Sequence, residues 1–292
     1  MRVLVTGAGG LLGGRLASLL SASYEVVAGR RSAPGPVGLP EQLLDILSAS
    51  SIESALDGVR PDAVVHSAAL ADADRCEAEP ALAEASNARA CETLARACRA
   101  RGILLVGLST DLVFDGRRPF VSEAEPVESI LAYGRTKLLG EEAVLAEAPG
   151  SAVVRVALVH GRGHGRRGTA SEAIEWALRS GRALRLFTDQ FRTTVDAESV
   201  ADAVRRILER DGRGRYHLGG PERLSRHDLG LRVAGLLGLS AEAVHAVTQA
   251  EHPLDPMRPA DVSMDTSRAR RELGWLPRPL DAGILEGRRR PD

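Results

Sequence analysis

The chain has little of what marks several large protein classes. Its three cysteines, Cys76, Cys91 and Cys98, are too few for a disulfide framework. No apolar run approaches the roughly 18 residues that span a bilayer, and the N-terminal MRVLVTGAGG is typical of a strand and turn rather than of a basic leader. Neither charge sign is in excess, because 38 Lys and Arg face 39 Asp and Glu. We therefore expect a cytoplasmic protein with no membrane or nucleic-acid partner.

Scarcity also singles out individual residues. The chain has 37 arginines but one lysine, Lys137, and it has one asparagine, Asn87. Only three tyrosines are present, Tyr24, Tyr133 and Tyr216. Because a lysine ammonium is a compact point charge and a guanidinium is a planar fork, the exception indicates a site that requires an ammonium. Retention by chance is the alternative.

Strand-like and helix-like segments alternate over the first 160 residues. The strands are predicted at 3–8, 25–29, 62–69, 103–110 and 151–159. The helices are predicted at 11–21, 51–59, 81–102 and 133–148. Apolar strands that alternate with helices predict an α/β fold with a doubly wound parallel sheet. We expect residues 1–160 to form this domain and 161–292 a smaller lobe, with 195–218 returning to the sheet.

A glycine-rich turn follows the first predicted strand. The segment TGAGGLLG places Gly7, Gly10 and Gly13 at three-residue intervals before a helix that begins near Leu11 and Leu12. Glycine permits a tight turn and close backbone approach, and the helix N-terminus offers free N–H groups to phosphates. The arrangement predicts a dinucleotide-binding site in a Rossmann-type domain.

The end of the second predicted strand indicates which dinucleotide binds. It carries Arg30 and Arg31, with no acidic residue before Glu41. An acidic residue there would bond the ribose 2′-hydroxyl of NAD, whereas an arginine matches the 2′-phosphate of NADP. The sequence favours NADPH as cofactor. NADH and a solvated arginine pair are the alternatives.

The one lysine lies four residues after a tyrosine, so Lys137 and Tyr133 share a helix face. A cation beside a phenol lowers a pKa that starts near 10, which suits acid–base catalysis. The strand ILLVGLST brings Ser109 and Thr110 to its C-terminal end, where open α/β sheets bind ligands. A purely structural pair and strand cap is the alternative.

Four motifs, TGAGGLLG, STDLVFDG, YGRTKLLGE and DQFRTT, occur in the order found in the extended short-chain dehydrogenases/reductases. Within that superfamily the chain resembles the dTDP-4-dehydrorhamnose reductase group. The resemblance implies a Rossmann-type domain, a C-terminal substrate-binding lobe and reduction of a nucleotide-linked 4-keto-6-deoxysugar by NADPH. Homodimers are common among such enzymes, so the resemblance allows a homodimer, while the sequence itself leaves the oligomeric state open.

The resemblance assigns roles to matched residues. Thr110 would bond the substrate carbonyl, Tyr133 would donate a proton to its oxygen, and Lys137 would bond the nicotinamide ribose and lower the pKa of Tyr133. The remaining implied cofactor residues are Asp45 and Ile46 at the adenine, Ala68 and Ala69 in the turn after the fourth strand, and Asn87. The implied substrate residues are Asp111, Leu112, Leu158, Asp189, Gln190 and Arg192.

Two departures leave the substrate open. Leu112 and Leu158 replace a tyrosine and a tryptophan that hold the sugar in the reductase group, so another sugar or carbonyl compound is an alternative. A sugar epimerase or dehydratase, and a regulatory subunit like that of methionine adenosyltransferase, are the rival functions. His160, His164 and three loop arginines are candidate diphosphate ligands or a solvated loop; the arginines are Arg162, Arg166 and Arg167. His66 is expected in the core, and no residue spacing indicates a metal site.

Overall fold

The structure is a computed structural model that describes residues 1–165 and 168–286, so the predicted contribution of Arg166 and Arg167 lies outside the described residues. The strands are β1 Arg2–Thr6, β2 Glu25–Arg30, β3 Glu41–Leu43, β4 Ala63–His66, β5 Leu104–Thr110, β6 Ala152–Val156, β7 Val159–His160, β8 Leu184–Phe187, β9 Phe191–Arg192, β10 Val195–Asp196, β11 Gly214–Leu218, β12 Leu224–Ser225 and β13 Val244–Val247.

Helices follow most of these strands. Their bounds are α1 Leu11–Leu20, α2 Ala49–Val59, α3 Ala73–Ala78, α4 Pro80–Glu84, α5 Ala90–Ala100, α6 Ala132–Glu147, α7 Ala170–Arg179, α8 Ala197–Arg210, α9 Arg226–Leu237, α10 Ser267–Leu273 and α11 Leu280–Glu286. Among the described residues no helix has both the length and the apolar character needed to cross a membrane.

Seven strands form one parallel sheet in the order β11-β6-β5-β4-β1-β2-β3. Successive side chains of β1 point to opposite faces of the sheet. Val3 and Val5 pack with α1 and α8, while Leu4 packs with α2 and α5. Helices therefore cover both faces, and the predicted doubly wound parallel α/β fold is confirmed. Because the strands are parallel, their C-terminal ends and the turns that follow lie along one edge of the sheet, which is where such sheets bind ligands.

The structure differs from the predicted elements in two places that shape this edge. The helix predicted over 81–102 is interrupted by a π-helical turn, Ala85–Arg89, which holds Asn87. A short strand at Glu41–Leu43 was not predicted, and it extends the sheet beside β2. Within 195–218, β10 pairs with β7 and β11 pairs with β6. The domain boundary at residue 160 stays a prediction.

A second apolar cluster lies in the C-terminal half. Ile174 of α7, Leu186 of β8, and Leu229 and Val233 of α9 pack together. Two short pairings extend from it, β8 with β13 and β9 with β12. The second pairing fixes Arg192 opposite Leu224, immediately before α9 begins. This cluster thus holds the DQFRTT motif and the start of α9 in a fixed relation.

Candidate functional site

The glycine turn after β1 forms the base of a cleft of about 690 Å³. Gly7 has φ +69°, and a Cβ there would lie 2.7 Å from the backbone nitrogen of Ala68. A Cβ on Gly13 would lie 2.4 Å from the carbonyl oxygen of Gly7. Both positions therefore require glycine, and the turn stays open to a ligand at the start of α1. The predicted cofactor residues that line the cleft are Gly7, Gly10, Leu11, Leu12, Gly13, Arg30, Arg31, Ile46, Ala68, Ala69, Tyr133 and Lys137.

The two arginines after β2 have different surroundings. The register of β2 and β3 brings Glu41 beside Arg30, and the two side chains form an ion pair at 2.6 Å. Glu41, the first acidic residue after these arginines in the sequence, is therefore returned to Arg30 by β3. Arg31 is exposed and has no hydrogen bond or ion pair with any residue in 1–165 or 168–286. The Arg31 guanidinium is therefore available to a phosphate in the cleft.

Two predicted cofactor residues lie behind the cleft wall rather than in it. The Asp45 carboxylate accepts a hydrogen bond from the backbone N–H of Leu47 at 3.0 Å. Asn87 is fully buried, and its amide both accepts from Leu70 N and donates to Leu70 O, at 2.9 and 3.1 Å. Because Leu47 and Leu70 line the cleft, Asp45 and Asn87 hold residues that form its wall.

Thr110, Tyr133 and Lys137 meet where the sheet edge adjoins the cleft. The Thr110 hydroxyl accepts from Leu112 N at 3.1 Å and donates to the Asp111 carboxylate at 3.2 Å. Tyr133 and Lys137 line the cleft from successive turns of α6. The Lys137 ammonium donates to the carbonyl oxygen of Leu108 at 2.7 Å. The three predicted catalytic residues are thus brought to one place.

The pKa of the Tyr133 phenol is raised rather than lowered. Desolvation is the main cause and the charge of Asp111 adds to it, while the Thr110 hydroxyl opposes both. Lys137 is not among the groups that shift this pKa, and its ammonium bonds the Leu108 carbonyl, so the prediction that Lys137 lowers the pKa of Tyr133 is wrong. A raised pKa keeps the phenol protonated at neutral pH, and a protonated phenol is the form that donates a proton.

Removal of the Asp111 charge should lower the pKa of Tyr133. We expect Asp111→Asn to move the alkaline limb of the activity profile to lower pH, because the carboxylate disfavours the phenolate. The measurement is the alkaline limb of kcat/KM, together with a spectrophotometric phenolate titration corrected with Tyr133→Phe. An unmoved or higher phenolate pKa would show that Asp111 does not control this group.

Buried polar side chains lie near Tyr133, beginning with Asp111, whose charge acts on the phenol. Asp111 and Gln190 are 4 and 5 % exposed, and the Asp111 Oδ2 and Gln190 Nε2 atoms have no hydrogen-bond partner among the described residues. Arg192 is also buried and donates to the carbonyl oxygens of Phe191 and Pro259 at 2.7 and 3.3 Å. Its charge lowers the pKa of Asp111, although desolvation dominates and raises it.

The other predicted substrate residues are Asp189, Leu112 and Leu158, and each has a different environment. One Asp189 oxygen accepts from Gln249 N at 2.9 Å, and the other has no partner among the described residues. Leu112 accepts a hydrogen bond from Ser129 on its carbonyl oxygen at 2.6 Å, and Leu158 packs against the C-terminal apolar cluster. Both positions are thus occupied by aliphatic side chains.

The three histidines singled out in the sequence, His66, His160 and His164, differ in their surroundings. His66 is buried, bonds the Thr6 hydroxyl at 2.8 Å, and has a pKa lowered to about 3 mainly by desolvation. The His164 ring packs on Gly14 of α1, and the His164 backbone N–H donates to Leu11 O at 3.0 Å. This places it beside the glycine turn. His160 is fully buried, and among the described residues no His, Cys, Asp and Glu side chains form a metal-binding group.

Sequence reasoning missed a buried ion pair behind the catalytic residues. Glu141 bonds the Ser109 hydroxyl at 2.5 Å and Arg155 at 2.8 Å. A signal was available, because Tyr133, Lys137 and Glu141 repeat at four-residue intervals along one helix face. The pair joins α6 to β5 and β6, which fixes the helix that carries the phenol and the ammonium.

A family model described as the RmlD substrate binding domain matches residues 1–286. The chain belongs to this family. The predicted membership in the extended short-chain dehydrogenases/reductases is confirmed, and with it the class of NAD(P)-dependent oxidoreductases.

Curated relatives of this RmlD-family chain differ in their described roles. It is 32% identical over 282 residues to a probable low-salt glycan biosynthesis reductase, Agl14, of Haloferax volcanii, covering 94% of this chain and 93% of that one. It is 42% identical to a dTDP-4-dehydrorhamnose reductase of Streptomyces griseus over 56% of this chain and 51% of that one. It is 28% identical to the methionine adenosyltransferase 2 subunit beta of Mus musculus, covering 98% and 86%.

Solved structures agree with the RmlD-family fold. A hypothetical dTDP-4-dehydrorhamnose reductase of Sulfolobus tokodaii has a TM-score of 0.84 and 31% identity, covering 97% of this chain and 99% of that one. A dTDP-4-dehydrorhamnose reductase of Bacillus anthracis, solved in complex with NADP, has a TM-score of 0.88 and 24% identity, covering 98% and 97%.

Proposed function

We propose that this protein is an NADPH-dependent reductase of a nucleotide-linked 4-keto-6-deoxysugar. The observation that carries the proposal is the position of Tyr133, which lines the cofactor cleft and is close enough to buried Asp111 for the carboxylate to raise its pKa. The phenol therefore lies between a cleft suited to a dinucleotide and a buried polar site suited to a sugar. The reductases among the relatives support the same reaction class.

The cleft fits NADPH in shape and charge. Glycine at residues 7 and 13 is required by backbone contacts and leaves the start of α1 open to a pyrophosphate. Arg31 is free to meet a 2′-phosphate, and Ile46 offers an apolar wall to the adenine. When bound, NADPH would supply the hydride. The protein supplies orientation and a proton.

Each catalytic side chain has a task that its contacts allow. The Thr110 hydroxyl can turn from the Asp111 carboxylate to donate to the substrate carbonyl. Tyr133 donates the proton as negative charge develops on that oxygen. Lys137 would hold the nicotinamide ribose of a bound cofactor, and its positive charge would stabilise the phenolate that proton donation leaves on Tyr133.

The proposal is tested by the consumption of NADPH with a panel of dTDP-, UDP- and GDP-linked 4-keto-6-deoxysugars. We expect oxidation with at least one member, followed by the loss of NADPH absorbance and by isolation of the reduced sugar nucleotide. Tight NADPH binding without turnover of any member would contradict the sugar-nucleotide assignment. The panel also includes simple ketones, because Leu112 and Leu158 make the sugar site less polar than in the reductase group.

A regulatory subunit is the second candidate function, and the resemblance to methionine adenosyltransferase 2 subunit beta favours it. Turnover distinguishes the two, since a regulatory subunit would bind NADPH without consuming it. Copurification with a methionine adenosyltransferase would support the regulatory role. Sugar epimerases and dehydratases are less favoured, because Arg31 is suited to NADP. The homodimer and the cytoplasmic location stay predictions.

Arg31 should determine the preference between the two dinucleotides. We expect Arg31→Ala to raise the KM for NADPH by about 10- to 100-fold, since a charge-assisted hydrogen bond to phosphate contributes about 1.5–3 kcal/mol. The KM for NADH should change little. Steady-state kinetics with both cofactors measures the shift, and Arg117→Ala, on an exposed side chain, is the control. A parallel loss for both cofactors would assign Arg31 to another role.

A further inference from the structure

Arg226, the first residue of α9, carries a positive charge that is not paired with an acidic side chain among the described residues. Its backbone N–H donates to Gln190 O at 2.9 Å, but its guanidinium has no hydrogen bond or ion pair within the described parts of the chain. A cation in the first helical turn is disfavoured by the helix dipole, which is positive at that end. The capping residues Ser225 and Asp228 bond each other and the backbone, and form no ion pair with Arg226.

The charged groups around Arg226 carry a net positive charge. The pKa of Arg226 is lowered to about 10, mainly by desolvation and also by the charge of Arg192. The charge of Asp111 opposes both effects. Asp261, which pairs with Arg223 at 2.6 Å, also acts on Arg192. Three guanidiniums therefore have two carboxylates among them, with Arg192 buried and Arg226 half-buried. Among residues 1–165 and 168–286, the Arg192 guanidinium bonds backbone carbonyls alone, and Asp111 Oδ2 and Gln190 Nε2 are buried without partners. Buried positive charge of this kind requires a compensating anion.

We propose that Arg226 is a further substrate-binding residue, whose guanidinium binds the diphosphate of the nucleotide-linked substrate beside Arg192. The proposal rests on the proposed function, which supplies a substrate with this anion. A guanidinium is the side chain best matched to phosphate oxygens, because its planar fork donates two parallel hydrogen bonds. The pairing of β9 with β12 places Arg192 opposite Leu224, and Arg226 begins α9 directly after β12, so the two arginines can bind one diphosphate together.

The test is calorimetric binding of dTDP, UDP, GDP and inorganic pyrophosphate to the NADP-loaded protein. We expect Arg226→Gln to weaken binding of the preferred nucleoside diphosphate by about 10- to 100-fold. Arg232→Gln is the matched control, because Arg232 lies on the same helix and pairs with Asp281 at the surface. That control should bind as the wild type does, and all three proteins should bind NADPH equally.

Kinetics separates a binding role from a structural one. For a sugar nucleotide that is turned over, Arg226→Gln should raise the substrate KM with a smaller change in kcat, and Arg226→Lys should recover part of the affinity. Equal diphosphate affinity in the wild type and Arg226→Gln would overturn this inference alone. A wild-type protein that binds NADPH but none of the three nucleoside diphosphates would overturn both this inference and the proposed function.

Discussion

Replacement of Tyr133 with phenylalanine should lower kcat for carbonyl reduction by about 10²- to 10⁴-fold, the usual contribution of a positioned general acid. Phenylalanine keeps the ring that lines the cleft and removes only the proton donor. The Kd for NADPH should therefore change by less than about tenfold, because the loss of one hydrogen bond changes an affinity by about that factor at most. Single-turnover reduction and fluorescence titration with NADPH measure the two quantities separately.

Tyr24→Phe is the matched control for this variant. The Tyr24 hydroxyl contacts the carbonyl oxygen of Arg205 at 3.5 Å and does not line the cleft. It should reduce the substrate at the wild-type rate. If Tyr133→Phe kept a kcat within about tenfold of the wild type, another group would have to donate the proton. A phenol with a raised pKa also predicts that reduction continues well into alkaline pH and fails only as Tyr133 ionises.

The sheet and the catalytic trio could be predicted because local patterns specify them. Strands buried on both faces leave continuous apolar runs, and glycine at residues 7 and 13 is required by contacts that any dinucleotide-type turn makes. The interval from Tyr133 to Lys137 is likewise a property of one helix. These features depend on residues that are close in sequence, so the sequence alone shows them.

The electrostatics could not be predicted, because they depend on residues far apart in sequence. Glu41 reaches Arg30 only because an unpredicted strand pairs with β2. The pKa of Tyr133 depends on burial and on Asp111, whereas the helical interval suggested control by Lys137. Arg226 belongs to no motif, and its significance follows from the Arg192 and Asp111 charges that the fold brings near it. Tertiary contacts thus decide which charged side chains are free to bind a ligand.

Loss of the Glu141 charge should strongly destabilise the protein. Glu141 and Arg155 are 3 and 2 % exposed and bond each other through both carboxylate oxygens, with Arg215 at 3.1 Å. We expect Glu141→Gln to lower the free energy of unfolding by about 3–5 kcal/mol, since removal of one partner leaves a buried guanidinium unpaired. Urea unfolding followed by the fluorescence of buried Trp275 measures the change.

Two further variants separate the ion pair from a general effect of substitution. Glu142→Gln changes the neighbouring exposed residue, and its stability should stay within about 0.5 kcal/mol of the wild type. The double variant Glu141→Leu with Arg155→Met should lose less than Glu141→Gln, because apolar groups of similar volume leave no unpaired charge at residue 155. The Arg215 side chain is 30% exposed and can turn to water. A double variant less stable than Glu141→Gln would mean that this ion pair contributes net stability, and not only a fixed position for the helix that carries Tyr133 and Lys137.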